Sequence, residues 1–401
     1  MLESTNPLKS NSALQSATIQ DNSFAPKTDL NTLNLSGSSQ SLNNEVIATD
    51  ISAQDNPNPS PYISSPAVFA DFNGDGTHDK FWRNTATGEN AIWLMDGANP
   101  TGAAINTLGT EWDYTIGDFN GDAKTDIFWR NGSTGENLLW LMDGTTIAAE
   151  GALDTLGTEW NQSIGDFNGD GKTDLLWNNT ATGENAGWLM DGVSVSSADF
   201  LPQLDASWTP TVGEFNPNFN TDIFWHNEQT GENAIWFMNG LNADATQLET
   251  FGAGWKLEEG DFDGNFTTDI LWENTSTGET KVWLMNGSNA TPADLPTLGA
   301  GYESNIGDFN ADGKMDILWR STTTGENVVW IMDGANATPI NIDPVPAEWD
   351  VTLGDYDGDG DTDVFGRNTQ TGENQYLRVD GTDVVQEELP TLPSEWSFTN
   401  S

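Results

Sequence analysis

Apolar residues in this chain come in short runs, each bounded by Gly, Asn and Asp. Such runs read as β-strands, being too short for helices and punctuated by turn formers. Two examples are IFWRN, from Ile127 to Asn131, and LLWLM, from Leu138 to Met142. Both are apolar at successive positions, which predicts strands buried on both faces. An open sheet with one wet face would alternate apolar and polar residues more cleanly.

The runs recur with a fixed period. A short acidic loop, DFNGDGTHD at its first appearance, starts at Asp71 and again at Asp118, Asp166, Glu214, Asp261, Asp308 and Asp355. Successive starts are 47 or 48 residues apart, a spacing that identifies the structural unit as a repeat. In each unit a strand leads into the loop and a second follows it. A Thr-Gly-Glu turn comes next, then a run ending in Met/Val-Asp/Asn-Gly, and then a more variable segment. The turn glycines are Gly88, Gly135, Gly183, Gly231, Gly278, Gly325 and Gly372. Their fixed place predicts a backbone that needs positive φ. Four strands per repeat is the content of a β-propeller blade.

All 18 tryptophans fall in three register positions. One set lies six residues before the loop: Trp112, Trp160, Trp208, Trp255 and Trp349, with Tyr302 in the sixth unit. The others lie in the strand after the loop (Trp82, Trp129, Trp177, Trp225, Trp272, Trp319) and after the turn (Trp93, Trp140, Trp188, Trp236, Trp283, Trp330). Burying one such side chain contributes at most roughly 4–6 kcal/mol. Fixed register favours core packing over a ladder for stacking sugars. In the first unit Ser65 stands where the pre-loop Trp belongs, and the missing residue is found at the far end as Trp396. One unit shared between the two ends predicts a closed ring of seven blades. Gly366 and Leu377 replace two tryptophans in the last unit, which predicts looser packing there.

Residues 1–60 have no Trp and no apolar period, with 11 Ser and 9 Asn. They read as a disordered segment, which leaves residues 61–401 as the all-β, seven-repeat domain. The formal charge is −49, with only 13 Lys plus Arg. That surface is unsuited to nucleic acid, whose phosphates are bound by Lys and Arg. There is no Cys, hence no disulfide frame or thiolate site. No apolar run is long enough to predict a membrane span. The first 20 residues lack the apolar stretch of a secretory signal.

The loops carry candidate chemistry. Counting from the first acid, side-chain oxygens stand at positions one, three, five and nine. They are Asp71, Asn73, Asp75 and Asp79 in loop one; Asp118, Asn120, Asp122 and Asp126 in loop two; and Asp166, Asn168, Asp170 and Asp174 in loop three. Loop five offers Asp261, Asp263, Asn265 and Asp269; loop six Asp308, Asn310, Asp312 and Asp316; loop seven Asp355, Asp357, Asp359 and Asp363. Odd positions in a tight loop can converge on one centre. Oxygen-only ligation with several carboxylates suits Ca²⁺ over Zn²⁺, Cu²⁺ or Mg²⁺. An EF-hand would need Glu at position twelve between helices, but Trp82 and Trp177 stand there between strands. Loop two has Ala123 for the usual Gly, and loop five has Asn265 and Phe266 in place of Asp-Gly. Loop four, with Glu214, Pro217, Asn218 and Phe219, is degenerate and is expected to bind weakly or not at all. About four to six bound calcium ions are expected, counted from the intact loops.

The DFNGDGxxD loops and the strands that follow them, Asp126 to Asn131 and Asp316 to Arg320, resemble the FG-GAP/VCBS repeat family. Its best-known members are the propeller heads of integrin α subunits. The resemblance covers about residues 61 to 401. It implies a seven-bladed propeller with calcium between the first two strands of each blade, in an extracellular or cell-surface, typically bacterial, setting. His78 and His226 are the only histidines and read as incidental. No nucleophile motif or phosphate loop is present, so no enzyme activity is expected. The leading reading is a monomeric, calcium-binding adhesion or protein-interaction module. A glycan-binding lectin is the alternative, followed by a polysaccharide-active enzyme or accessory module.

Overall fold

The computed structural model describes residues 70–342, 344–380 and 383–398. The expectations for residues 1–60 and for Ser65 lie outside the described residues. Among those described, every regular element is a strand, and the strands form seven four-stranded antiparallel sheets. These are the seven blades of a β-propeller.

The second blade shows the plan. Its strands are Trp112–Gly117, Asp126–Asn131, Asn137–Asp143 and Thr146–Leu153, paired in chain order. First strands of neighbouring blades approach one another, as Trp160–Gly165 does Trp208–Gly213, so they line the axis. Second strands are buried along their whole length. Fourth strands, such as Thr146–Leu153, alternate between exposed and half-buried and form the rim. This explains the doubly apolar second strands, since each blade is sandwiched between two others. Phe128 and Leu139 of blade two pack on Trp177 and Trp188 of blade three. Trp129 and Trp140 of blade two pack on Phe81 and Ile92 of blade one. Within a blade the two tryptophans meet edge to face, as Trp177 and Trp188 do at 5.1 Å, a favoured geometry for aromatic pairs.

The Thr-Gly-Glu glycines all have positive φ, Gly88 at 75° and Gly135 at 74°. A Cβ on Gly135 would lie 1.7 Å from the Leu156 carbonyl oxygen. The turn therefore needs glycine twice over, for its handedness and for the segment that crosses it.

The ring closes as the tryptophan register predicts. Trp396–Ser397 adds as the inner strand of blade one, with Trp396 opposite Asn84. Trp112 stands opposite Asn131 and Trp160 opposite Asn179 in the same way. Trp82, Trp93 and Met95 of blade one share a cluster with Tyr356, Phe365, Tyr376 and Phe398. Arg367 stacks its guanidinium 5.1 Å from the Trp82 ring, repeating the Arg130–Trp177 contact of 4.8 Å across the closure. At this seam Lys80 occupies a place that other blades give to Ile127 or Leu175. Its ammonium lies 4.6 Å from the Tyr356 ring, 4.9 Å from Phe365 and 5.1 Å from Phe398. Burial pushes its pKa well below the usual lysine value.

The last blade replaces its lost tryptophans. The space beside Gly366 is taken by the Gln375 side chain and the Trp349 ring. Tyr356 and Tyr376 are buried, with the Tyr356 hydroxyl donating to the Leu353 carbonyl and the Tyr376 hydroxyl to the Asp363 carboxylate. The expected looseness at Gly366 and Leu377 is therefore offset by other side chains.

Phe398 is the anchor of the closing segment. Phe398→Ala should destabilise the ring by about 3–5 kcal/mol, the usual cost of deleting a buried aromatic. Urea denaturation measures this; a loss under about 1 kcal/mol would show that the ring holds without its closing segment.

Candidate metal centres

Each acidic loop is folded by its own side chains before any ion is considered. In loop one the Asp71 carboxylate accepts backbone N–H bonds from Gly74 at 2.7 Å, Asp75 at 3.2 Å and Gly76 at 2.9 Å. Asp118, Asp166, Asp261 and Asp355 wrap the following amides in the same manner. Short acids at position one do this readily because Asp reaches its own downstream backbone. Positive φ recurs at position six in every loop, including Ala123 at 63°, Phe219 at 61° and Phe266 at 67°. The backbone shape is therefore kept even where glycine is lost, at a steric cost of roughly 1–2 kcal/mol for a side chain in this region.

Position nine has a role beyond ligation. Asp79 is buried, and its two oxygens accept from Phe72 N at 2.7 Å and Met95 N at 2.9 Å. It thus ties the loop to the hairpin beyond the second strand. Asp126, Asp174, Asp269, Asp316 and Asp363 make the same two bonds. So does Asp222 of loop four, which bonds the Phe215 and Met238 amides and whose loop has no intact donor set. Its repetition at loop four marks the ninth carboxylate as structural first. In Asp79, Asp126, Asp174, Asp269 and Asp316 each oxygen keeps a second lone pair for a cation, whereas Asp363 also accepts from the Tyr376 hydroxyl and Asp222 from Asn216.

A second feature links the loops to one another. The residue at position eight donates its backbone N–H to the carbonyl of position one in the preceding loop. Thr125 does so to Asp71 at 2.8 Å, Thr173 to Asp118, Thr221 to Asp166, Thr268 to Glu214, Met315 to Asp261 and Thr362 to Asp308. His78 completes the circle. Its backbone N–H donates to the Asp355 carbonyl at 2.7 Å, and its Nδ1 accepts from Asp355 N at 2.7 Å. The loops therefore form a closed girdle. Burial pushes the His78 imidazole down to about 4, with Lys80 nearby adding to it, which keeps Nδ1 free to accept. His226 is likewise placed, at the register of Arg83 and Arg130. It bonds Asn233 at 2.7 Å and meets the Trp272 ring edge to face at 5.1 Å. Neither histidine is incidental. The sequence did not reveal these roles because each is defined by a side chain, or a loop, of another strand or blade.

The loops offer a hard cation oxygen donors only. Carboxylate oxygens of Asp261, Asp263 and Asp269 all lie within 4.8 Å of one another, as do those of Asp355, Asp357 and Asp363. These two loops have Asp at position three, where loops one, two, three and six have Asn73, Asn120, Asn168 and Asn310. The fifth loop was expected to be the weaker for Asn265 and Phe266, yet position three gives it one of the two triple-carboxylate clusters found among the described residues. The other intact loops also carry three acids, at positions one, five and nine with Asn at position three, but without the same convergence. In loop four the Glu214 carboxylate accepts from Thr221 Oγ1 instead, and Asn216 donates to Asp222.

Crowding so much acid in a buried turn shifts its titration. Burial, with neighbouring acids adding to it, pushes Asp79, Asp126, Asp174, Asp222, Asp316 and Asp363 from 3.8 up to about 7, and Asp269 up to about 8. The amide bonds pull in the opposite direction but do not win. A divalent cation would hold these groups ionised in place of a proton.

Comparison with known proteins agrees with this anatomy. The FG-GAP-like repeat model matches residues 71–129, 118–177, 261–319 and 308–366, over half of the chain. Each match runs from one acidic loop through the strand after the next; loop four lies outside all of them. Comparison with curated proteins gives no match. Among solved structures, a lectin of Agrocybe aegerita that recognises non-reducing terminal N-acetylglucosamine superposes with a TM-score of 0.65 at 13% identity, covering 80% of this chain and 92% of that one. A post-proline cleaving enzyme of Rickettsia typhi gives 0.52 at 12% identity, covering 81% of this chain and 53% of that one. At such identities the likeness is one of fold.

Two outcomes follow. Asp222→Ala leaves two buried amides unpaired and should cost about 1–3 kcal/mol for each, with or without calcium in urea denaturation. An unchanged midpoint would remove its structural role. In chelator, the folded chain holds protons on the ninth-position acids that the unfolded chain has released above pH 4. Their contribution is therefore complete below about pH 4 and lost as pH rises through about 7. The melting temperature of the chelated protein should fall between pH 5 and pH 8, and saturating calcium should flatten the fall. A chelated melt that rises over this interval would contradict the shifts.

Proposed function

This chain belongs to the FG-GAP-like repeat family, and we propose that it is a calcium-stabilised binding propeller that engages a protein partner outside the cell. The observation that carries the calcium part is the pair of triple-carboxylate clusters, Asp261/Asp263/Asp269 and Asp355/Asp357/Asp363, in a repeated turn offering only oxygen donors. Loops one, two, three and six carry as many acids as loop five but do not gather three carboxylates within 4.8 Å, so they are graded below these two. Bound ions would neutralise part of an acidic girdle and stiffen the loop-to-loop bonds that encircle the axis.

Binding is favoured over catalysis by what the acids already do. The ninth-position carboxylates are engaged by two backbone amides each, and the first-position aspartates by two to four. Both histidines serve packing or the girdle. A glycan ligand is the second reading, supported by the fold shared with the Agrocybe aegerita lectin. An extracellular or cell-surface place is part of the proposal, in keeping with a calcium-laden module.

Calorimetric titration of the chelated chain should find about four to six calcium ions. Adding excess chelator should lower the melting temperature by several degrees, by mass action on the native state. Asp355→Asn and Asp261→Asn should each remove one ion from the count. An unchanged melt in chelator would sink structural calcium. A glycan array probed with and without calcium separates the two ligand readings, since saturable calcium-dependent sugar binding favours the second.

A further inference from the structure

Position three separates the loops that gather three carboxylates from those that do not. In loops five and seven the converging oxygens belong to positions one, three and nine: Asp261, Asp263 and Asp269, and Asp355, Asp357 and Asp363. Loops one, two and three have Asp at positions one and nine and lack only the middle member, where Asn73, Asn120 and Asn168 stand. Each of these asparagines is followed by a glycine, Gly74, Gly121 or Gly169. An Asn-Gly pair loses its side-chain amide more readily than other pairs, because no Cβ shields the following backbone nitrogen as it attacks the carboxamide carbon.

The chain has six Asn-Gly pairs, and the fold sets these three apart. The attacking N–H must give up its proton. In loops one to three it is bonded to a carboxylate: Gly74 to Asp71, Gly121 to Asp118 and Gly169 to Asp166, each at 2.7 Å. In the other three pairs it is bonded to a backbone carbonyl, a far weaker base: Gly132 to Glu111, Gly240 to Phe167 and Gly287 to Phe215. The carboxamide under attack is polarised as well. The Asn73 Oδ1 accepts from the Asp75 N–H at 2.9 Å, and those of Asn120 and Asn168 accept from Asp122 and Asp170 at 2.8 Å. Donors so placed stabilise an oxyanion forming on that oxygen. The three asparagines are half-buried and their glycines exposed, which leaves water a way in. Loop six keeps the Asp312 N–H on Asn310 Oδ1 but has Ala311 in place of glycine.

We propose that Asn73, Asn120 and Asn168 are sites of deamidation promoted by their own loops, and that conversion to Asp gives loops one, two and three the triple-carboxylate set of loops five and seven. The gain in affinity rests on the reading of these loops as calcium sites. In the first step the Gly N–H proton passes to the position-one carboxylate, and the Gly nitrogen bonds to the Asn Cγ. The carboxamide nitrogen then leaves as ammonia, carrying that proton, and a cyclic imide remains. Water adds at Cγ, the bond from Cγ to the Gly nitrogen breaks, and that nitrogen takes back a proton. The net change is amide and water to carboxylate and ammonium. Opening at Cγ gives Asp, whereas opening at the backbone carbonyl gives isoaspartate. The position-five N–H polarises the oxygen on Cγ and so directs water there. Calcium on the position-one carboxylate would withdraw the base, so the reaction belongs to the empty loop and adds charge where an ion is lacking.

The test ages the full chain at mildly alkaline pH, in chelator and in saturating calcium. Peptide mapping by mass spectrometry, with fragmentation that distinguishes Asp from isoaspartate, follows each site. The proposal expects Asn73, Asn120 and Asn168 to convert about tenfold faster or more than Asn131, Asn239, Asn286 and Asn310. The product should be chiefly Asp, and calcium should slow the conversion. Calorimetric titration of the chain aged in chelator should then show three calcium sites tightened by about tenfold, as should the unaged triple variant Asn73→Asp, Asn120→Asp, Asn168→Asp. Conversion no faster than at the other four asparagines, or isoaspartate as the chief product, overturns the proposal and leaves the calcium reading in place. So does conversion to Asp with no gain in affinity while calcium still binds. Absence of calcium binding by both the fresh chain and the triple variant overturns the calcium reading together with the proposal.

Discussion

Seven buried carboxylates hold this propeller in register. Each ninth-position Asp sits where water is excluded and accepts two backbone amides, one from its own loop and one from the hairpin beyond the second strand. A charge in such a place is costly unless something compensates it. The amides compensate part, and burial still raises these acids to about 7. A proton can supply the rest at low pH. At neutral pH a divalent cation would do the same, and in loops five and seven the carboxylates at positions one and three already stand within 4.8 Å of the ninth.

The girdle turns this local requirement into a property of the ring. Position-eight amides pass from loop to preceding loop, and His78 joins the first to the last. The same seam is held by Trp396 in the inner strand, by Arg367 on Trp82 and by the Lys80 ammonium among three rings. Packing between blades is supplied by two tryptophans in six of the blades and by Tyr356, Phe365 and Tyr376 in the last, so loops and core close the circle independently. Loop four dispenses with an intact ligand set while keeping Asp222 and its place in the girdle. The staple is therefore kept even where the donor set is lost.

Much of this was legible in the sequence. The period gave the blade count, and Trp396 standing in for position 65 gave the closure with its register. The turn glycines announced their positive φ. What was not legible depends on partners from other blades. His78 reads as a stray histidine until Asp355 is beside it, and His226 until it is seen to take the arginine's place over Trp272. Asp222 was passed over because its loop looked empty, although its structural bonds survive there. Phe219 and Phe266 read as decay of a metal loop, and the left-handed turn that both preserve shows only in the folded chain. Looser packing was expected from Gly366, but Gln375 and Trp349 fill that space from positions with no sequence pattern to mark them.

Anomalous scattering from crystals grown in calcium tests the central claim most directly, because it reports each loop separately. The account predicts density within ligand distance of Asp355, Asp357 and Asp363 and of Asp261, Asp263 and Asp269, weaker density in the loops with Asn at position three, and none in loop four. Density at Glu214 with none at Asp355, or no density in any loop, would contradict it.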